Sequence, residues 1–326
     1  MTLSGAVNKG GEVGELKAFF LVGPTATGKT SVSQWIAEHY AYDILSADAM
    51  MVYRGMDIGT AKPGKKFRAS VRYFGLDLVS AQDQFSVGMY REHVLAAIRE
   101  ANSAGRRMIV TGGTGLYVKS LTHGLSRLYV GNPDIRQEAD ELLQKGGLGA
   151  LQEWAKAQAP EQYASIADKQ NPRRLVRAVE MAQGSAGNKK ALWRLLGKGP
   201  KVAGLMMPKN VLDERIKLRV KEMYSEGLLE ETERLLQQGF SAEGAPAGKA
   251  IGYAEAISIL RGESTREEAM ELTARRTRQL AKRQMTWFRN QANVEWLMID
   301  SGMTTEQVAQ MVLDCWKKIG PTPIAE

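Results

Sequence analysis

The chain has 326 residues, 44% hydrophobic and 25% charged, with a formal net charge of +8. That length buries a full core and divides into two domains, or into one domain carrying an insertion. The single cysteine, Cys315, excludes an internal disulfide framework, and no apolar run approaches the roughly 18 residues that would cross a membrane.

Residues 1–16 are glycine-rich and lack the apolar stretch of a signal peptide, which predicts a flexible N-terminal tail on a cytoplasmic protein. Short apolar runs that end in loop residues, at 17–23, 42–48, 107–113 and 201–207, predict buried parallel strands, with one more at 294–300. Helices are expected over 28–40, 87–104 and 115–122. The alternation predicts an α/β fold, a parallel sheet flanked by helices, with ligands at the C-terminal edge of the strands. From about 125 to 200 the strand signal vanishes, so 125–200 reads as a helical insertion domain between two parts of the core, 17–124 and 201–326. Helices dominate again beyond 211. His39, His93 and His123 lie far apart without cysteines or acids at ligand spacing, which argues against structural zinc.

The run FFLVGPTATGKTS, residues 19–31, fits G-x-x-x-x-G-K-[ST] at Gly23, Gly28, Lys29 and Thr30. Glycines let backbone N–H groups curl around phosphate oxygens at a helix N-terminus, Lys29 supplies a point charge, and the Thr30 hydroxyl can reach Mg²⁺. An ordinary strand-to-helix turn would not need the Lys-Thr pair. The expected phosphate-binding set is Gly23, Thr25, Ala26, Thr27, Gly28, Lys29 and Thr30, in a fold of the P-loop NTPase type. A nucleotide-hydrolysing enzyme usually has an acid at the end of a neighbouring strand. The strand at 107–113 ends instead in Thr111-Gly112-Gly113-Thr114, and the acid so placed on the early strands is Asp48. Taken alone, Asp48 fits a metal-site residue, a general base or a loop cap.

The positive charge is concentrated. Residues 273–290, TARRTRQLAKRQMTWFRN, hold six Lys or Arg and no acid. On a helix Arg275, Arg278, Lys282 and Arg289 share one stripe, and Arg276, Arg283 and Trp287 a neighbouring one. A second basic island, KQNPRRLVRA, lies at 169–178. Together they point to a nucleic-acid partner rather than a merely solvated face.

The stretch DAMMVYRGMDIGTAKPG at 48–64 carries the most specific pattern. With GPTATGKT, GGTGLY (112–117), NPRRLVRAVE (171–180), IGY (251–253) and TRQLAKRQMTWFRN (277–290), it resembles the bacterial tRNA dimethylallyltransferase family across about residues 17–300. The resemblance implies transfer of a dimethylallyl group from dimethylallyl diphosphate to N6 of the adenosine 3′ of the anticodon. The phosphate loop would then hold an allylic diphosphate with Mg²⁺, Thr30 serving the metal, and Asp48 would be the base. Lys29, Thr25 and Lys249 complete the implied catalytic set, with Thr114 near the acceptor. Arg136, Arg173, Arg174, Arg177, the segment from Lys249 through Gly252 and Tyr253, and the helix bearing Lys282, Arg283, Trp287 and Arg289 would grip the anticodon stem-loop. Gln284 and Asp48, Ala49, Met50 and Met51 would lie closer to the bases. The family threads the base into a channel that the diphosphate enters from the other side, and the chain is expected to act as a monomer.

Three departures stand out. The family commonly reads Asp-Ser-x-Gln where this chain has Asp48-Ala49-Met50-Met51, a histidine-containing stretch appears here as RYFGLDL (72–78), and Lys249 stands where arginine is frequent. Lysine keeps the charge but not the planar fork. The alternative is an adenylate dimethylallyltransferase acting on free AMP, ADP or ATP, which would not need so long a basic track. A small-molecule kinase of the P-loop class and a non-catalytic RNA-binding protein are further readings.

Overall fold

The computed structural model describes residues 15–125, 132–183, 197–241 and 246–325. The chain forms two compact units, one made of residues 1–124 with 198–326 and the other of residues 125–197.

The larger unit is built on β1 (Lys17–Val22), β2 (Tyr42–Ser46), β3 (Tyr73–Phe74), β4 (Arg107–Gly112), β5 (Lys201–Met206) and β6 (Asn293–Met298). They form a parallel sheet in the order β3-β2-β4-β1-β5-β6, and β7 (Thr322–Pro323) pairs antiparallel with β1. Both faces are covered, which is why these strands read as continuous apolar runs. Phe20, Val22, Leu45, Met108 and Val110 enter one core, while Leu21, Ile44 and Ile109 enter the other. The second core is closed by α1 (Lys29–Tyr40) and the helix at Thr305–Ile319. The first receives α3 (Val87–Ser103) and α4 (Gly115–His123), with α2 (Lys65–Ser70) leading into β3.

The register pairs Leu21 with Thr111 and Ser46 with Thr111, so β1, β2 and β4 end side by side. The phosphate loop, Asp48 and the Gly112–Thr114 turn therefore leave the same edge of the sheet. The short β3 and β7 carry no period that a sequence reading can register. Leu16, placed by composition in a flexible tail, is buried, and its carbonyl accepts from the Ile324 N–H at 2.8 Å. The rest of that tail, residues 1–14, lies outside the described residues.

In the smaller unit α5 (Pro133–Gln158), α6 (Pro160–Ala164) and α7 (Pro172–Gln183) pack around Ile135, Leu151, Ala155, Leu175 and Val179. Gly147, at φ 65°, interrupts α5. The Gly/Lys-rich end of the expected insertion, 184–196, lies outside the described residues, and Lys198 already belongs to the larger unit.

After β5 the larger unit continues through α8 (Lys209–Ser225), α9 (Leu228–Gln237), a 3₁₀ turn at Pro246–Lys249, α10 (Tyr253–Leu260) and α11 (Arg266–Gln291). The Thr305–Ile319 helix is α12. Helix α11 starts with a capping box, Thr265 accepting from the Glu268 N–H and Glu268 from that of Thr265, and it contains the arginine-rich stretch.

Candidate active site

The loop between β1 and α1 is shaped by two glycines. Gly23, at φ 141°, leaves no room for a Cβ because the Leu205 carbonyl lies against it, and Gly28, at φ 83°, is the left-handed N-cap of α1. Within the loop the Thr27 hydroxyl donates to the Pro24 carbonyl at 2.9 Å and Lys29 Nζ donates to the same oxygen at 2.6 Å. Burial is the main cause that pushes Lys29 down to about 7, Asp48 opposing and Arg219 adding a like-charge push. An anion delivered into the loop restores the environment that this ammonium needs.

A cavity of about 760 Å³ opens beside the loop, lined by Thr25, Ala26, Gly28, Lys29 and Thr30 together with Asp48 and Arg219. A second, of about 380 Å³, is lined by Asp48, Ala49, Met50, Thr114, Lys249, Arg283 and others. The two share Thr25, Asp48, Thr60, Arg219 and Gln284. Asp48 thus faces both a phosphate loop and a separate space walled by the basic helix α11. Its own Oδ1 accepts from the Met50 N–H at 2.9 Å, and the Thr114 hydroxyl accepts from the Ala49 N–H at 2.9 Å. These two bonds set the turn that carries Asp48 off β2.

Arg219 was not singled out by the sequence reading. It sits on α8 in line with the buried Ile216, Val220 and Met223, and an arginine on an apolar stripe is the signal that could have found it. Its NH1 donates to the Thr25 hydroxyl at 2.9 Å and its NH2 to the Thr60 carbonyl at 3.3 Å, while the buried Nε has no partner. Thr111, at the end of β4 where a P-loop NTPase usually places an acid, likewise leaves its buried hydroxyl unpartnered in the first cavity. Unpartnered buried donors lining a cavity mark where a polar ligand belongs.

Gln284 is half-buried where the arginine-rich helix meets the loop. Its Oε1 accepts from the Thr25 N–H, and its amide lies against Gly113, so a Cβ at that position would push the Gln284 side chain aside. Trp287 packs over Gly115 in the same way and meets Phe288 edge-on. Lys282, Arg283 and Arg289 are exposed, whereas Arg276 is paired at 2.5 Å with the buried Glu255. Lys249 lines the second cavity together with Arg283, beside Met50 and Thr114. Met51 lines the first.

Tyr253 requires correction. Instead of facing RNA it is fully buried, its hydroxyl donating to Glu231 at 2.7 Å, and Gly252 beside it is buried as the N-cap of α10. In the smaller unit Arg173 and Arg174 are exposed, while Arg136 and Arg177 both pair with Glu180 at 2.8 Å. Among the described residues no three His, Cys, Asp or Glu side chains cluster to hold a metal, and no helix is long and apolar enough to cross a membrane.

Residues 51–291 match the family described as IPP transferase. The chain belongs to this family. It is 37% identical over 301 residues to a tRNA dimethylallyltransferase of Pelotomaculum thermopropionicum, covering 90% of this chain and 95% of that one. A tRNA dimethylallyltransferase of Bacillus licheniformis is 35% identical over 301 residues, 90% and 94% of the two chains. Among solved structures, the full-length tRNA isopentenylpyrophosphate transferase of Bacillus halodurans superposes with a TM-score of 0.65 at 33% identity, covering 93% of this chain and 98% of that one. The matched span runs from Met51 through α11, so it takes in Arg219, Gln284 and Trp287 but begins beyond the phosphate loop.

Proposed function

We propose that the chain transfers the dimethylallyl group of dimethylallyl diphosphate to N6 of the adenosine 3′ of the anticodon in tRNA. One observation carries this reading: Asp48 lines both the cavity of the phosphate loop and the cavity walled by the basic helix. A base between a diphosphate site and an RNA-facing site is what alkylation of an amine by an allylic diphosphate requires.

The C1–O bond of the donor breaks, its electrons leaving with the diphosphate, while N6 forms the new bond to C1. The N6 proton passes to Asp48. Lys29, the Thr25 hydroxyl, Arg219 and the loop N–H groups lie around the first cavity, where negative charge grows on the leaving group. The exocyclic amine's lone pair is delocalised into the purine, so a base in contact with it is needed as the bond forms.

The donor set suits magnesium held chiefly by the substrate. Thr30 lines the cavity beside Lys29 and Asp48, and Mg²⁺ commonly takes one or two protein ligands with substrate phosphates and waters. When bound there it would neutralise charge on the leaving diphosphate.

The base must leave the anticodon stack, which costs a few kcal/mol that RNA contacts offset. Lys282, Arg283, Arg289, Arg173 and Arg174 present exposed cations for phosphates. The test is radiolabelled dimethylallyl diphosphate with Mg²⁺ and either an anticodon stem-loop or AMP. Label entering the stem-loop and not AMP is expected. Efficient labelling of AMP would replace this reading with the adenylate enzyme, and tight ATP binding without prenyl transfer would point to a kinase.

A further inference from the structure

Glu231, on α9, is almost completely buried, and the chemistry above makes no use of it. Its Oε2 accepts from the Asp57 N–H at 3.1 Å and from the Ile58 N–H at 2.9 Å. Its Oε1 accepts from the Gly59 N–H at 3.3 Å and from the Tyr253 hydroxyl at 2.7 Å. Three successive backbone N–H groups converging on one point form an anion-binding nest, filled here by a carboxylate from a distant helix. The Tyr253 ring then lies against Gly59 so closely that a Cβ at that position would collide with it.

The same loop is held from elsewhere too. Lys62, whose side chain is fully buried, donates to the Tyr53 carbonyl at 2.8 Å, to Asp57 Oδ1 at 2.6 Å and to Asp77 Oδ1 at 2.7 Å. Between Gly59 and Lys62 stands Thr60, whose hydroxyl donates to the Met56 carbonyl at 2.6 Å and whose own carbonyl accepts from Arg219. Arg219 has one further partner, the Thr25 hydroxyl of the phosphate loop. The path from Glu231 to the first cavity therefore runs through three backbone amides, one carbonyl and one guanidinium.

We propose that Glu231 is a positioning residue for the leaving diphosphate: by clamping the 57–60 loop it fixes the Thr60 carbonyl and so aims Arg219 into the donor cavity. It rests on the prenyl-transfer reading of that cavity. Space-filling alone does not explain the residue, because a carboxylate taken out of water is costly and an apolar side chain would fill the site without that cost. A guanidinium stabilises a developing charge only as well as it is held, and small misplacements are expensive in rate. Glutamine is a poor substitute, since both carboxylate oxygens face donors and the amide nitrogen would oppose one of them.

The test is a double-mutant cycle between Glu231→Gln and Arg219→Gln, read by single-turnover prenylation of a stem-loop at saturating donor. Circular dichroism and RNA affinity establish that each variant is folded. Glu231→Gln is expected to slow the wild-type background about tenfold and the Arg219→Gln background less than about twofold, with RNA affinity unchanged. Equal losses in both backgrounds, or a folded Glu231→Gln protein at the wild-type rate, would overturn the proposal. If Glu231→Gln fails to fold, Tyr253→Phe takes its place in the cycle, and the same dependence on Arg219 is expected at about threefold amplitude. Equal losses there would overturn it as well. An inactive wild-type protein would instead refute the prenyl-transfer reading.

Discussion

The backbone N–H of Thr25 donates to Oε1 of Gln284 at 2.8 Å, which ties the phosphate loop to a helix 259 residues further along the chain. The same side chain packs on Gly113 at the end of β4, so one carboxamide is in contact with both loops of the site. Gln284→Ala removes this link without changing charge. Turnover is expected to fall about three- to tenfold, the scale of one lost hydrogen bond, with the salt dependence of RNA binding unmoved. Initial rates and filter binding across a KCl series check both halves.

Asp48→Asn keeps the volume of the side chain and its acceptor oxygen but cannot take the N6 proton. A loss of about 10²–10⁴ in single-turnover rate is expected, with RNA binding within a few-fold of normal. A variant that keeps more than about a tenth of the rate would remove Asp48 from the role of base.

Lys29 gives the site a pH dependence. With its folded value pushed down to about 7, the ammonium is mostly deprotonated at pH 8 in the free protein, and a bound diphosphate draws the proton back. Donor binding at pH 8 should take up a proton, and Kd should rise as pH climbs above about 7. Calorimetry in buffers of different ionisation enthalpy measures the uptake. Lys29→Ala should abolish it and weaken donor binding and rate together. Between about 7 and the ordinary 10.5 the unfolded chain holds the extra proton, so the Lys29 contribution to stability rises with pH across that window.

Lys282 and Arg289 are exposed on α11 without a carboxylate partner given by any ion pair of the described residues. Replacing both by Ala should flatten the salt slope of RNA binding by about one to one and a half units. Arg276 lies on the same helix but is paired with buried Glu255. Arg276→Ala should lower Tm while changing the slope less than the double variant does. A slope unmoved by losing Lys282 and Arg289 would take α11 off the RNA backbone.

Glycine spacing and the Lys-Thr pair made the phosphate loop legible, because such backbone demands are written at fixed offsets in one short stretch. Asp48 was legible as the acid at the end of a buried strand, and the register shows why: β2 and β4 end together beside β1. Arg219 was not, since on a helix with many charges a half-buried arginine stands out only when its line with Ile216, Val220 and Met223 is followed. Tyr253 was misplaced for a related reason. A tyrosine that follows a glycine looks the same in sequence whether it meets RNA or, as here, is buried with its ring against Gly59 and its hydroxyl on Glu231. Arg276 shows the limit of helical-wheel reasoning, which places it near Arg283 yet says nothing of Glu255 on another helix.

The two cavities back onto the same five residues, Thr25, Asp48, Thr60, Arg219 and Gln284. If donor and acceptor each take one of these cavities, neither has to wait for the other. In that arrangement the donor need not pass over the docked acceptor. Initial-velocity patterns should therefore show a ternary complex reached in either order, and added diphosphate should compete with the donor while leaving the polymer free to come and go.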